Sequence, residues 1–98
     1  MIIAPLVPLL QLTATNAVFT CEALAIPLHT TQWQKDGVEL VNSTKYSITG
    51  LGSAVSVLTI INLELSDAGN YVCFVENPHG NDSTSDQLIV QGIAATLL

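Results

Sequence analysis

At 98 residues, 49% apolar and only 10% charged, the chain has the length of a single domain and is too hydrophobic to be disordered. Eight acidic residues stand against Lys35 and Lys45, giving a net charge of −6. No cationic stripe can neutralise phosphates, which excludes nucleic acid as a partner and disfavours anionic membrane surfaces. An average soluble domain carries about 25% charged residues, so this one must leave apolar side chains on its surface. A chain of this size buries only about 60–65% of its unfolded surface, so a covalent staple would matter.

The apolar start, Met1 to Leu10, lacks a basic leader, is interrupted by Pro5 and Pro8, and is followed by no convincing small-x-small cleavage site. It reads as an edge strand rather than a secretory leader. No run reaches the ~18 apolar residues of a membrane span, so direct membrane insertion is not expected. Period-two alternation with turn residues between the runs then predicts Leu6 to Thr13 as the first strand and Ala17 to Ala23 as the second. The second puts Ala17, Phe19, Cys21 and Ala23 on one face. After a loop, Gln32 to Lys35 forms a short strand centred on Trp33 and closed by the turn pair Asp36-Gly37.

Val38 to Val41 continues weakly, Lys45 to Thr49 is another short edge, and Val55 to Ile61 is rich in β-branched residues. Ser66 to Gly69 is a corner. Gly69 to Asn77 and Gln87 to Val90 then pair across the turn-rich segment Pro78 to Asp82. Seven or eight short strands at this spacing predict an all-β sandwich, with residues 1–92 as the domain and 93–98 as a tail or linker. Two cysteines can pair once, and no metal-knuckle spacing surrounds either. If they bridge, the closed loop stabilises the fold by roughly 4 kcal/mol and favours an oxidising compartment.

Catalytic chemistry finds no support. There is no Gly-x-Ser-x-Gly elbow, no phosphate-cradling glycine loop and no zinc spacing, so neither enzyme activity nor a cofactor or metal is expected. His29 and His79 fall in expected loops and read as solvated histidines rather than, with Asp82, a metal site.

The order Cys21, Trp33, Leu58-x-Ile60-x-x-Leu63 and Asp67-x-Gly69-x-Tyr71-x-Cys73 resembles the immunoglobulin superfamily. Its spacing, with Trp33-Gln-Lys-Asp-Gly37 and Cys73-x-Val75-x-Asn77-Pro-His-Gly80, is similar to the I-set class. The resemblance implies a Greek-key sandwich with an inter-sheet disulfide Cys21–Cys73 and Trp33 packed on it. It makes Tyr71 the tyrosine of a corner whose hydroxyl bonds back to upstream backbone, with Asp67 and Gly69 shaping that corner. Leu58, Ile60 and Leu63 fill the core from the opposite sheet. Lys45 stands where such domains often carry an arginine paired with the corner aspartate, which implies a Lys45–Asp67 ion pair without arginine's bidentate fork. Ala14 replaces the glycine usual in the first turn.

Function is then expected on the outer side of the same strands. Alternation turns Val72 and Phe74 away from Cys73, Ile89 away from Leu88 and Val90, and Gln32 and Gln34 away from Trp33. These five residues are the candidate partner face. Asn42-Ser43-Thr44 and Asn81-Asp82-Ser83 are glycosylation sequons placed in expected turns. Together they predict an extracellular or cell-surface adhesion, receptor or matrix module. Its partner would be a protein, another copy or a neighbouring immunoglobulin-like domain. The competing expectation is a cytosolic spacer of the muscle type, with reduced cysteines and unused sequons.

Overall fold

A computed structural model describes the backbone of residues 2–4 and 9–10 and all of residues 11–23 and 30–92. Among the described residues, nine strands form two sheets. One has four strands, in the order β1 (Ile2–Ala4), β3 (Ala17–Ala23), β7 (Val55–Ile60), β6 (Tyr46–Thr49). The other has five, in the order β2 (Leu9–Leu12), β9 (Gly80–Gln91), β8 (Gly69–Asn77), β4 (Thr30–Lys35), β5 (Val38–Glu39). A short 3-10 turn, Leu65–Asp67, leads into β8.

Two expectations change. The start from Met1 to Leu10, read as one edge strand, divides between the sheets: β1 pairs antiparallel with β3, whereas β2, within the expected Leu6 to Thr13 strand, pairs parallel with β9. The last strand begins at Gly80 rather than Gln87, because the turn is only Pro78-His79, with Asn77 opposite Gly80. The polar run Gly-Asn-Asp-Ser-Thr-Ser-Asp reads as a loop by composition. Backbone pairing along β8 nevertheless draws it into the ladder, and its exposed side suits polar side chains. The expected loop from Leu24, with His29, and the tail 93–98 lie outside the described residues, as do Pro5 and Pro8.

The core follows the period-two pattern of the facing strands. Ala17, Phe19, Cys21 and Ala23 enter it from β3, Leu58 and Ile60 from β7, Tyr71, Cys73 and Val75 from β8, and Leu88 from β9. Cys21 and Cys73 are bonded across the two sheets. Their strand neighbours add a second link. Trp33 lies directly opposite Cys73, Ser56 directly opposite Cys21, and the Trp33 indole Nε1–H donates to Ser56 Oγ at 2.9 Å. The Ser56 hydroxyl in turn donates to the Thr49 carbonyl at 2.8 Å. Beside the covalent bridge, a hydrogen bond thus joins the same two sheets and satisfies the one polar atom of the largest core side chain.

Ser56→Ala leaves the buried indole N–H without its acceptor and removes the hydroxyl that donates to the Thr49 carbonyl. A loss of about 1–3 kcal/mol is expected by urea denaturation, with the fold intact. An unchanged midpoint would mean that the indole finds another acceptor.

At the corner, the Tyr71 hydroxyl donates to the Asp67 carbonyl at 2.6 Å, and its ring packs on Phe19 with centroids 5.4 Å apart. Burial, then the neighbouring Tyr46, Asp67 and Asp36, push the Tyr71 hydroxyl far above the usual tyrosine range. Burial and then Asp67 also raise Tyr46, against the opposing pull of Lys45. Unfolded tyrosines ionise near pH 10 while these keep their protons. Above that pH the unfolded state binds fewer protons than the folded one, so stability is complete below about pH 10 and falls as pH rises. Thermal melting followed from pH 8 to 11.5 is expected to show this decline. Tyr71→Phe should start about 1 kcal/mol lower and decline less steeply.

The first turn carries stored strain. Ala14 holds φ 65°, a left-handed conformation that glycine adopts freely and alanine does not. Its backbone N–H is committed to the Leu63 carbonyl at 2.9 Å, which fixes the conformation. Ala14→Gly is expected to stabilise the domain by roughly 0.5–1 kcal/mol in thermal melting, since relief of the Cβ clash exceeds glycine's added chain entropy.

Candidate interaction surface

Strand register builds the outer face of the five-stranded sheet row by row. Phe74 lies between Ser83 on β9 and Gln32 on β4. In the next row Val72 lies between Ser85 and Gln34, and Gln34 is opposite Glu39 on β5. Both hydrophobic side chains are partly exposed, whereas Tyr71, Cys73 and Val75 between and beside them are buried. The two glutamines lock together, Gln34 Nε2 donating to Gln32 Oε1 at 2.6 Å. The result is an apolar pair bordered by neutral amides and hydroxyls, with Glu39 the one charge in these rows.

Ile89 stands apart from this group. Asn70 opposite Gln87 forms the following polar row, and Ile89 lies beyond it, beside Leu10 of β2. Four residues of strand separate Ile89 from Ser85, about 13 Å at 3.3–3.4 Å per residue. Ile89 is 50% exposed. The expected single patch of five is therefore two surfaces: Val72 and Phe74 with Gln32 and Gln34, and Ile89 by itself near the domain end. Alternation gives the face of each side chain, but contiguity depends on the register between strands.

The corner residues sit below this face and serve the scaffold. Lys45 Nζ lies 2.6 Å from Asp67 Oδ2 and donates to the Asn62 carbonyl at 3.0 Å. The same carboxylate oxygen accepts the Glu64 backbone N–H at 2.8 Å. A Cβ at Gly69 would stand 2.7 Å from the Asp36 carboxylate and displace it, and that carboxylate's other oxygen accepts the Asn70 backbone N–H at 3.0 Å.

The two sequon asparagines differ. Asn42 Oδ1 accepts the Ile48 N–H at 2.7 Å and its Nδ2 donates to the Ile48 carbonyl at 3.2 Å, so its amide closes the connection into β6. Asn81 is exposed and lies within β9 opposite Glu76, in a strand rather than the expected turn. Among the described residues, no group of three or more His, Cys, Asp or Glu side chains could hold a metal ion, and no helix is long and apolar enough to cross a membrane. His29, expected as a solvated loop histidine like His79, falls outside them. Ser56 was missing from the expected framework. Its place in the alternation of β7 puts it inward with Leu58 and Ile60, and that was the available signal.

Comparison with known proteins agrees with this architecture. The immunoglobulin I-set domain family matches residues 2–90. The chain belongs to that family. It is 36% identical to mouse myopalladin over 76 residues, 78% of this chain and 6% of that protein. It is 39% identical to the human netrin receptor DCC over 72 residues, 74% of this chain and 5% of the receptor. The chain thus spans only a small part of the length of these relatives. Among solved structures, a chain of the titin M10–obscurin-like 1 Ig complex superposes with a TM-score of 0.87 at 25% identity, covering 94% of this chain and 93% of that one.

Proposed function

We propose that this I-set domain is a non-catalytic recognition module of an extracellular adhesion, receptor or matrix protein, and that it binds a protein through the Val72–Phe74 face. The bonded cysteine pair, buried across the core, carries the compartment reading, because such bridges persist outside reducing compartments. Similarity to the netrin receptor DCC supports the same setting. The apolar pair framed by neutral amides carries the choice of surface: its centre is uncharged and its margin can hydrogen-bond. The titin M10 complex supports protein recognition by a domain of this shape. Enzyme chemistry has no place in this reading.

A second reading, a spacer in a cytosolic muscle-type protein, is favoured by the similarity to myopalladin and titin. In that setting the cysteines stay reduced and Asn81 carries no glycan. Expression of the full parent protein in eukaryotic cells, followed by mass measurement of this domain with and without reductant, separates the two. A mass gain of two hydrogen atoms on reduction and a glycan at Asn81 support the extracellular reading, and free thiols with an unmodified Asn81 overturn it. Phe74→Asp should abolish partner capture without shifting the melting temperature by more than a few degrees. Undiminished capture would remove this face from the proposal.

A further inference from the structure

An open cleft of about 510 Å³ lies where the edge strand of each sheet meets the other, between β5 and β6. Leu40 and Tyr46 form its floor and are packed against the core. Val38 and Val41 stand on its rim at 67% and 65% exposure, more open than the other large hydrophobic side chains described. Lys35, Asp36, Glu39 and Ser43 complete its lining. The two-residue β5 is guarded by its shortness and by the charge of Glu39, with no lysine or proline in Val38-Glu-Leu-Val41.

The backbone here is set up to pair. Lys35 and Val38 flank a two-residue turn whose Asp36 and Gly37 hold φ 48° and 86°, the primed geometry that places Lys35 and Val38 in a hydrogen-bonded pair. Leu40 N donates to the Trp33 carbonyl at 2.8 Å, two residues further on. Hydrogen-bonded and non-bonded pairs alternate along an antiparallel ladder. Glu39, opposite Gln34 and between those two positions, therefore turns its N–H and C=O away from β4. Among the described residues no strand meets that edge.

Charge selects the occupant. The chain has two lysines, no arginine and a net charge of −6. Both lysines are engaged internally. Lys45 is bound to Asp67 and the Asn62 carbonyl, and Lys35 donates to the Ser66 carbonyl at 2.9 Å with Asp36 beside it at 4.0 Å. A second copy of this chain would set Glu39 against an equally acidic surface without free side-chain cations to offset it. A basic segment meets the complementary field.

We infer that the free edge of β5 binds an extended, basic segment of another protein, which adds as a short strand to Glu39, seats an apolar side chain between Val38 and Val41, and sets a lysine or arginine against Glu39. Glu39 borders the Val72–Phe74 face, but the free β5 edge is distinct from that face and the inference does not depend on it. Strand addition of this kind takes affinity from main-chain hydrogen bonds and selectivity from the side-chain cleft.

The test titrates the isotope-labelled 98-residue chain with the peptide acetyl-Ser-Val-Lys-Val-Arg-Val-Ser-amide, and separately with its counterpart carrying glutamate in place of both cations. Amide shifts at Val38 to Val41 and Tyr46 are expected with the basic peptide only, weakening at least tenfold between 20 and 300 mM salt. Glu39→Lys should weaken binding at least tenfold. Glu39→Pro should do the same while leaving the melting temperature within a few degrees, because the N–H it removes points away from β4. If that variant fails to fold, Glu39→Lys still decides the matter. Four results overturn the inference: equal response to the acidic peptide, shifts at Val72 and Phe74 with β5 silent, no response at millimolar peptide, or concentration-dependent shifts at Val38 to Val41 without peptide, which would mark self-pairing. Phe74→Asp should leave peptide binding unchanged, so failure here and failure of the outer-face proposal are told apart.

Discussion

Replacing both bridge cysteines, Cys21→Ala/Cys73→Ala, is expected to destabilise the domain by about 4 kcal/mol, read from urea midpoints at constant slope. The two are separated by 52 positions, so the bond removes a long loop's worth of freedom from the unfolded chain. In a domain of this size, where total stability is on the order of 5–15 kcal/mol, that is a large share. The melting temperature should fall by roughly 15–30 °C. Both sulfurs are buried, Cys21 at 2% and Cys73 at 0% exposure, so a mild reductant should reach them only through unfolding. Reduction of the native protein should therefore be slow, with a rate that follows the unfolding rate across denaturant. A double variant that loses less than about 1 kcal/mol would show that the Trp33–Ser56 link and apolar packing hold the sheets together by themselves, and would weaken the compartment argument with it.

That bridge also shows how much of the molecule the sequence discloses. Cys21, Trp33, Tyr71 and Cys73 are legible because each sits on a strand whose alternation is strong and because their order is that of a known family. The corner lysine and aspartate were legible for the same reason. Ser56 was not, although it is nearly as buried as its neighbours. A serine inside a run of β-branched residues reads as a solvated interruption until the indole N–H that needs it is located across the core. The division of the first strand was hidden too, since both halves are apolar and nothing in composition says which sheet each joins. Gly80 to Asp86 reads as loop because side-chain polarity says little about a ladder made by backbone groups. The separation of Ile89 from Val72 and Phe74 is a matter of register, and the β5 cleft arises where two sheet edges meet. Periodicity within a single strand reports neither.

The second large effect concerns which partner of the corner ion pair is removed. Lys45→Met is expected to cost about 3–4 kcal/mol, because it leaves the Asp67 carboxylate buried without its cation. The Asp67 residue is 5% exposed, and the Glu64 N–H is its remaining hydrogen-bond donor on the same oxygen. The Lys45 side chain is 29% exposed, so in Asp67→Asn the orphaned ammonium can turn to solvent and keep its bond to the Asn62 carbonyl. The asparagine Oδ1 can still accept from Glu64. A loss of only about 1–2 kcal/mol follows for Asp67→Asn. The double variant Lys45→Met/Asp67→Asn should fall near the second figure, well short of the sum, because no buried charge remains unpaired. Asn62 feels the change as well: its φ of 53° is held partly by the carbonyl that Lys45 binds, so Lys45→Met should also loosen hydrogen exchange in the turn from Ile61 to Leu63. Urea titrations of the three variants decide the point. Equal losses for the two single variants would mean that the pair acts by mutual attraction alone. The expected inequality would show that the aspartate's desolvation sets the energy, with lysine there to neutralise it.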